Sequence, residues 1–194
     1  MTILLGTSLM LLLLIIIPAL IGKRITKKFN AGQKNWWLTI HIIFVAVYFS
    51  GLFGTLLLTA AAAASITGGE QIRAAHLFSK YFDWFMVIPG ALVSLITGVW
   101  IAVRTNWGLT KYYWVLIKIF VNIGAVLFGS TLMRTWYDQT VALSSAGRLN
   151  PLENPAYLQS RQMLLIGTVI SLSTLVFLVG ISVFKPWGKK ARER

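Results

Sequence analysis

Long runs of apolar residues, separated by short basic stretches, set the pattern of this chain. Five of them, residues 2–21, 37–63, 82–103, 112–133 and 163–184, are each about 20 residues or slightly longer, the length a helix needs to cross a hydrocarbon core of roughly 30 Å. The pattern predicts an all-α integral membrane bundle of about five transmembrane helices, four of them forming the core bundle and the first an extra helix. It reads as a single transmembrane domain over residues 1–194, with a long outer loop at 135–162. In that loop, Thr135 to Asp138 continues from a helix end, residues 144–147 read as a turn, and Asn150-Pro151 with Asn154-Pro155 breaks the chain. A short amphipathic lid and a partner contact are both open readings there. The first segment has no basic stretch before it and meets Lys23-Arg24 directly after it, which favours an uncleaved anchor over a signal peptide.

Composition sharpens the class. Hydrophobic residues make up 57% of the chain and charged ones 12%, with a mean hydropathy of +0.74, outside the range of ordinary soluble domains. The absence of cysteine excludes disulfides, thiolate metal sites, iron-sulfur ligation and a cysteine nucleophile. The 18 Lys and Arg outnumber the 5 Asp and Glu, but they flank apolar spans, so topology and anionic headgroups explain them and nucleic acid does not. Counted by alternate loops, twelve basic residues fall on one side, led by Lys23, Arg24, Lys27, Lys28 and Lys34, and five on the other. The asymmetry places the N-terminus outside and the C-terminus in the cytoplasm. No internal repeat, nucleotide-binding glycine motif or GxSxG elbow is present.

Two ionisable residues lie inside apolar segments and carry the chemical interest. Lys118 is embedded in residues 112–133, which contain no acid, and the one acid within the five segments, Asp83, stands at the outer edge of 82–103, away from the depth of Lys118. A cation there must snorkel, line a wet cavity, lose its proton or meet a cofactor. His41 follows Trp36-Trp37 in the second segment and reads either as an interfacial histidine bound to a neighbouring helix or as a ligand. With the predicted topology, both segments start from the same side. At 1.5 Å per residue, His41 lies about 6 Å beyond Trp37 and Lys118 about 6 Å beyond Trp114. They share a depth. His76 falls in the opposite loop, and with Asp83 it makes only a two-ligand set, too small to read as a metal site.

Trp100 and Arg104 stand four residues apart on one helix face near the same end, where Arg104 is either a basic flank or a partner for a carboxylate. Trp36, Trp37, Trp84, Trp107, Trp114, Trp136 and Trp187 fall at predicted interfaces, as an aromatic belt does. Gly51, Gly54, Gly98, Gly124 and Gly129 read as close-packing positions and Pro89 as a tolerated kink.

The run from His41 through Tyr48-Phe49 to Gly51-Leu52-Phe53 resembles the first helix of the HemJ-type protoporphyrinogen oxidases. Pro89-Gly-Ala-Leu, Thr97-Gly98-Val-Trp100 and Trp114-Val-Leu-Ile-Lys118 extend the resemblance over roughly residues 36–133. The overall pattern is also similar to a bacterial family of integral membrane proteins of unknown function and to the membrane part of copper-resistance D proteins. The oxidase resemblance implies haem b, with His41 and Lys118 as its iron ligands and Tyr48, Trp100, Arg104 and Trp114 beside it. The chain departs from that pattern where Gly54-Thr55-Leu56-Leu57 stands in place of an Arg, and where Asn122-Ile-Gly124 stands in place of a late His. A shared haem scaffold is therefore expected more than a shared reaction. The leading expectation is a haem b protein that transfers electrons or oxidises a small redox substrate, with a quinone or a redox protein as partner. A non-enzymatic membrane subunit, alone or self-associated, and a small transporter are the alternatives, the last disfavoured by the lack of repeats and intramembrane acids.

Overall fold

In hydrocarbon the backbone polar groups have only one another as partners, so the apolar runs form helices. The computed structural model describes residues 2–64, 68–145 and 150–188; half of the predicted turn at 144–147 and the basic tail beyond Gly188 lie outside the described residues. The helices are α1 (Thr2–Arg24), α2 (Ala31–Ala64), α3 (Gly69–Phe82), α4 (Ile88–Arg104), α5 (Tyr113–Phe128), α6 (Arg134–Ser145) and α7 (Pro155–Phe184). A wide π turn at Asp83–Val87 joins α3 to α4, and a second at Gly129–Met133 joins α5 to α6. The result is five rods long and apolar enough to span a membrane.

The rods outrun the apolar segments. The third begins at Gly69 rather than at residue 82, and the predicted outer loop at 135–162 is mostly helical: α6, a single 3-10 turn at Pro151–Glu153, and the start of α7. Hydropathy measures the hydrocarbon thickness, whereas the backbone ladder continues into polar surroundings wherever side chains permit. Asn154 starts α7 by accepting hydrogen bonds from the N–H groups of Ala156 and Tyr157, with Pro155 in the first turn, where its missing N–H costs nothing.

Both π turns have local causes. Ile88 N–H donates back five residues to Asp83, loosening the backbone just before Pro89, whose ring opposes a regular ladder. At the other turn the Thr131 hydroxyl donates to the Leu127 carbonyl at 2.6 Å, joined by Ser130 at 3.2 Å. Those hydroxyls compete for the acceptor of the regular ladder.

Lipid is as apolar as leucine, so close packing rather than water exclusion holds the rods together. Helix α1 is peripheral: it buries Leu11 against Leu95, Val99 and Val103 of α4 and is otherwise largely exposed. Helix α2 is central, with Tyr48 and Leu52 packed against Ala91 of α4 and Leu175 of α7. The tightest approach is at Gly90, where an added Cβ would come within 2.8 Å of the Tyr48 Cα.

The α1–α2 link is tied to the end of α4. Lys28 Nζ donates to the Val103 carbonyl at 2.8 Å, Phe29 N–H to that of Arg104 at 3.0 Å, and Arg104 Nη1 donates to the Ile25 carbonyl at 2.8 Å. The first two satisfy last-turn carbonyls that α4 would otherwise leave orphaned. This end carries most of the described Lys and Arg residues and is called the basic end below.

Candidate functional site

Toward the basic end, α2, α4, α5 and α7 do not close on one another. They leave a cavity of about 540 Å³ whose lining includes both His41 and Lys118. The walls are mainly aliphatic, from Leu38 and Val45 of α2, Leu95 and Val99 of α4, and Leu175 and Leu178 of α7, and the lining contains no Asp or Glu.

His41 is held from α4. Its Nδ1 lies 2.9 Å from the Thr97 hydroxyl, and that hydroxyl is 2.7 Å from the Val93 carbonyl. A hydroxyl has one proton. Given to Val93, it leaves only lone pairs for His41, so Nδ1 carries the ring hydrogen and Nε2 keeps an unshared pair. The Ser94 carbonyl of α4 is a further acceptor beside the ring, and no side chain among the described residues bonds Nε2. Gly98 follows Thr97, and a Cβ there would stand 3.4 Å from His41 Cε1, so its missing side chain leaves room beside the ring.

Lys118 crosses from α5 to α7. Its Nζ donates to Ser182 Oγ at 2.7 Å, and Ser182 Oγ in turn donates to the Leu178 carbonyl at 2.7 Å. One of three ammonium donors is used. The other two have no partner among the described residues, in a wall without acids.

Residues 36–186 match the model of a family described as predicted integral membrane protein (DUF2269). The chain belongs to that family. The matched region contains α4, α5, α7 and all of α2 from Trp36 onward, and leaves out α1. Comparison with curated proteins and with solved structures gives no match.

Of the six residues singled out from sequence, the structure brings His41, Lys118 and Trp114 to the cavity. Tyr48, Trp100 and Arg104 do not line it. Tyr48 is core, packed with Leu52, Ala91 and Leu175. Trp100 sits against Phe29 and Trp37, and Arg104, buried, lies 5.1 Å from the Phe29 ring while binding Ile25. The face shared by Trp100 and Arg104 therefore serves the α1–α2 link. His76 is fully buried at the far end, with Nε2 2.9 Å from the Tyr157 hydroxyl, and no cluster of three or more metal-ligating His, Asp or Glu exists among the described residues.

Sequence reasoning missed Thr97 and Ser182 as the partners of His41 and Lys118. A hydroxyl residue in a spanning helix is a weak signal, because it is as readily satisfied by its own helix. It also missed Trp107 and Lys185, which line the cavity toward the basic end.

Proposed function

We propose that the cavity is a cofactor site for haem b, and that the protein is a bacterial inner-membrane protein that transfers electrons or oxidises a small redox substrate, with a quinone or a redox protein as partner. The observation that carries this is the convergence of His41 and Lys118 on one apolar cavity.

The residues fit the group. About 540 Å³ lies in the usual range for ligand sites, roughly 300–1,000 Å³. A neutral imidazole with a free Nε2 pair is a standard axial ligand, fixed in direction by the partner on its other nitrogen. Gly98 leaves a flat neighbour space, and the aliphatic walls exclude water. Lys118 would act as second ligand after losing its proton, or as the ammonium that faces a carboxylate or a quinone oxygen. When bound, haem b supplies one-electron chemistry. The chain itself orients the imidazole through Thr97, positions the Lys118 nitrogen through Ser182, and holds both in a low-dielectric chamber.

Expression with supplied haem tests the reading. The purified protein is expected to show a Soret band, and its pigment should leave with acid acetone, since no cysteine exists for covalent attachment. Colourless, well-folded protein would overturn it. The basic asymmetry supports an orientation with the basic end in the cytoplasm. Reporter fusions at Arg194 and within residues 144–147 should report opposite sides.

A further inference from the structure

At the basic end the cavity meets an unusual arrangement of charge. Lys34 from the start of α2 and Lys185 from the end of α7 each place Nζ 5.5 Å from the centre of the Trp107 ring. Trp107 also packs edge-on to Trp114 at 5.4 Å, and both indoles line the cavity, as does Lys185. Two ammonium groups thus share one indole. Like charges repel, and neither has an anionic partner among the described residues, whose ion pairs are Lys80 with Asp138 and Arg134 with Asp138, both at the far end.

The backbone adds a second, independent sign. Lys185 ends α7 in the left-handed region, with φ 45°. Glycine is the residue that ordinarily closes a helix this way, because a Cβ is crowded there. A costly conformation is kept, and it sets a lysine at the rim. Observed strain of this kind collects at ligand-binding positions.

We infer that Lys185, at the cavity rim beside Trp107, receives the carboxylate of a ligand whose apolar body fills the cavity, and that Lys34, on the same indole, adds to the positive field there. Lys185 supplies a charge-assisted donor at one pole with Lys34 reinforcing the positive field, the aliphatic walls suit an apolar body, and the acid-free lining repels no anion. A porphyrin propionate and the headgroup of a fatty acid offer the same chemistry. The inference rests on reading the cavity as a ligand site, not on haem as the occupant.

The test uses the full chain in discs of zwitterionic lipid, titrated calorimetrically with haem b, haem dimethyl ester, palmitic acid and methyl palmitate. In the wild type at least one acid should bind about tenfold or more tighter than its ester. In Lys34→Gln/Lys185→Gly the preference should shrink toward one, while thermal stability is unchanged or raised because glycine relieves the left-handed residue. Selectivity confined to the haem pair names a porphyrin, and selectivity confined to the palmitate pair keeps the carboxylate receptor while removing haem. Haem and its ester binding equally, with no palmitate preference, would keep the cofactor and sink the receptor. No binding by any of the four, or a preference unmoved in the variant, would also overturn it.

Discussion

The two histidines of the chain meet opposite surroundings. His76 is 0% exposed, bonded through Nε2 to Tyr157 and crossed edge-on by that ring at 5.6 Å. Around it Arg161 reaches the Ala62 carbonyl at 3.4 Å and stands 5.7 Å from the Tyr157 ring, while Tyr137 bonds Thr55 at 3.1 Å. Polar groups at this end fill space and join α2, α3, α6 and α7. His41 has one hydroxyl partner and beyond it an open volume. The comparison teaches that residue type assigns little here: the same imidazole is packing in one place and an available ligand in the other, and what separates them is the room left beside the ring.

Substitutions at three positions probe that contrast, beginning with the contact that forms the scaffold for both ends. Gly90→Ala forces a methyl group into the Tyr48 backbone, which cannot swing aside. A loss of ~2 kcal/mol or more is expected, read as a lower thermal midpoint of the purified protein, with ligand lost through unfolding. A normal midpoint would show that α2 and α4 are not tightly opposed.

Tyr157→Phe acts on the closed end alone. It strands His76 Nε2 in a buried position, at a cost of about 1–3 kcal/mol. Stability should fall while the affinity of the cavity for haem b stays within about twofold of wild type, since 1.4 kcal/mol corresponds to tenfold. A matching loss of affinity would mean that the two ends are coupled and the contrast is false.

Smallest in stability is Lys118→Met, because losing the bond to Ser182 is offset by removing an intramembrane cation that costs about 2.5–3.5 kcal/mol. Beside it, Lys118→Arg keeps the charge but does not deprotonate. If Lys118 ligates iron, the Met variant should retain haem with a shifted spectrum and a raised potential, and the Arg variant should lose the axial bond. If it faces a carboxylate or quinone oxygen, Arg should stay near wild type and Met should not. No spectral or redox change in either variant would remove Lys118 from the site.

How much of this was legible in the sequence follows from what each signal measures. The five spans were, since hydrocarbon demands apolar residues whatever their neighbours. Helix ends were not, because the ladder from Gly69 and on to Ser145 runs through residues too polar for a hydropathy window. His41 and Lys118 were placed together by depth alone, a one-dimensional quantity that charge asymmetry supplies. Arg104 shows where that runs out: spacing put it on a face with Trp100, but its partner, the Ile25 carbonyl, lies 79 residues away, and no local pattern encodes that contact. Trp107 was hidden for another reason, since an aromatic at an interface looks the same in a lipid belt and at the rim of a cavity.

The most direct measurement sets the two histidines side by side: visible absorption of purified His41→Ala and His76→Ala, expressed with supplied haem and compared at equal amounts of folded protein. The Soret band is expected to disappear in His41→Ala and to persist in His76→Ala despite its lower stability. A band retained in His41→Ala, or lost only in His76→Ala, would contradict that expectation.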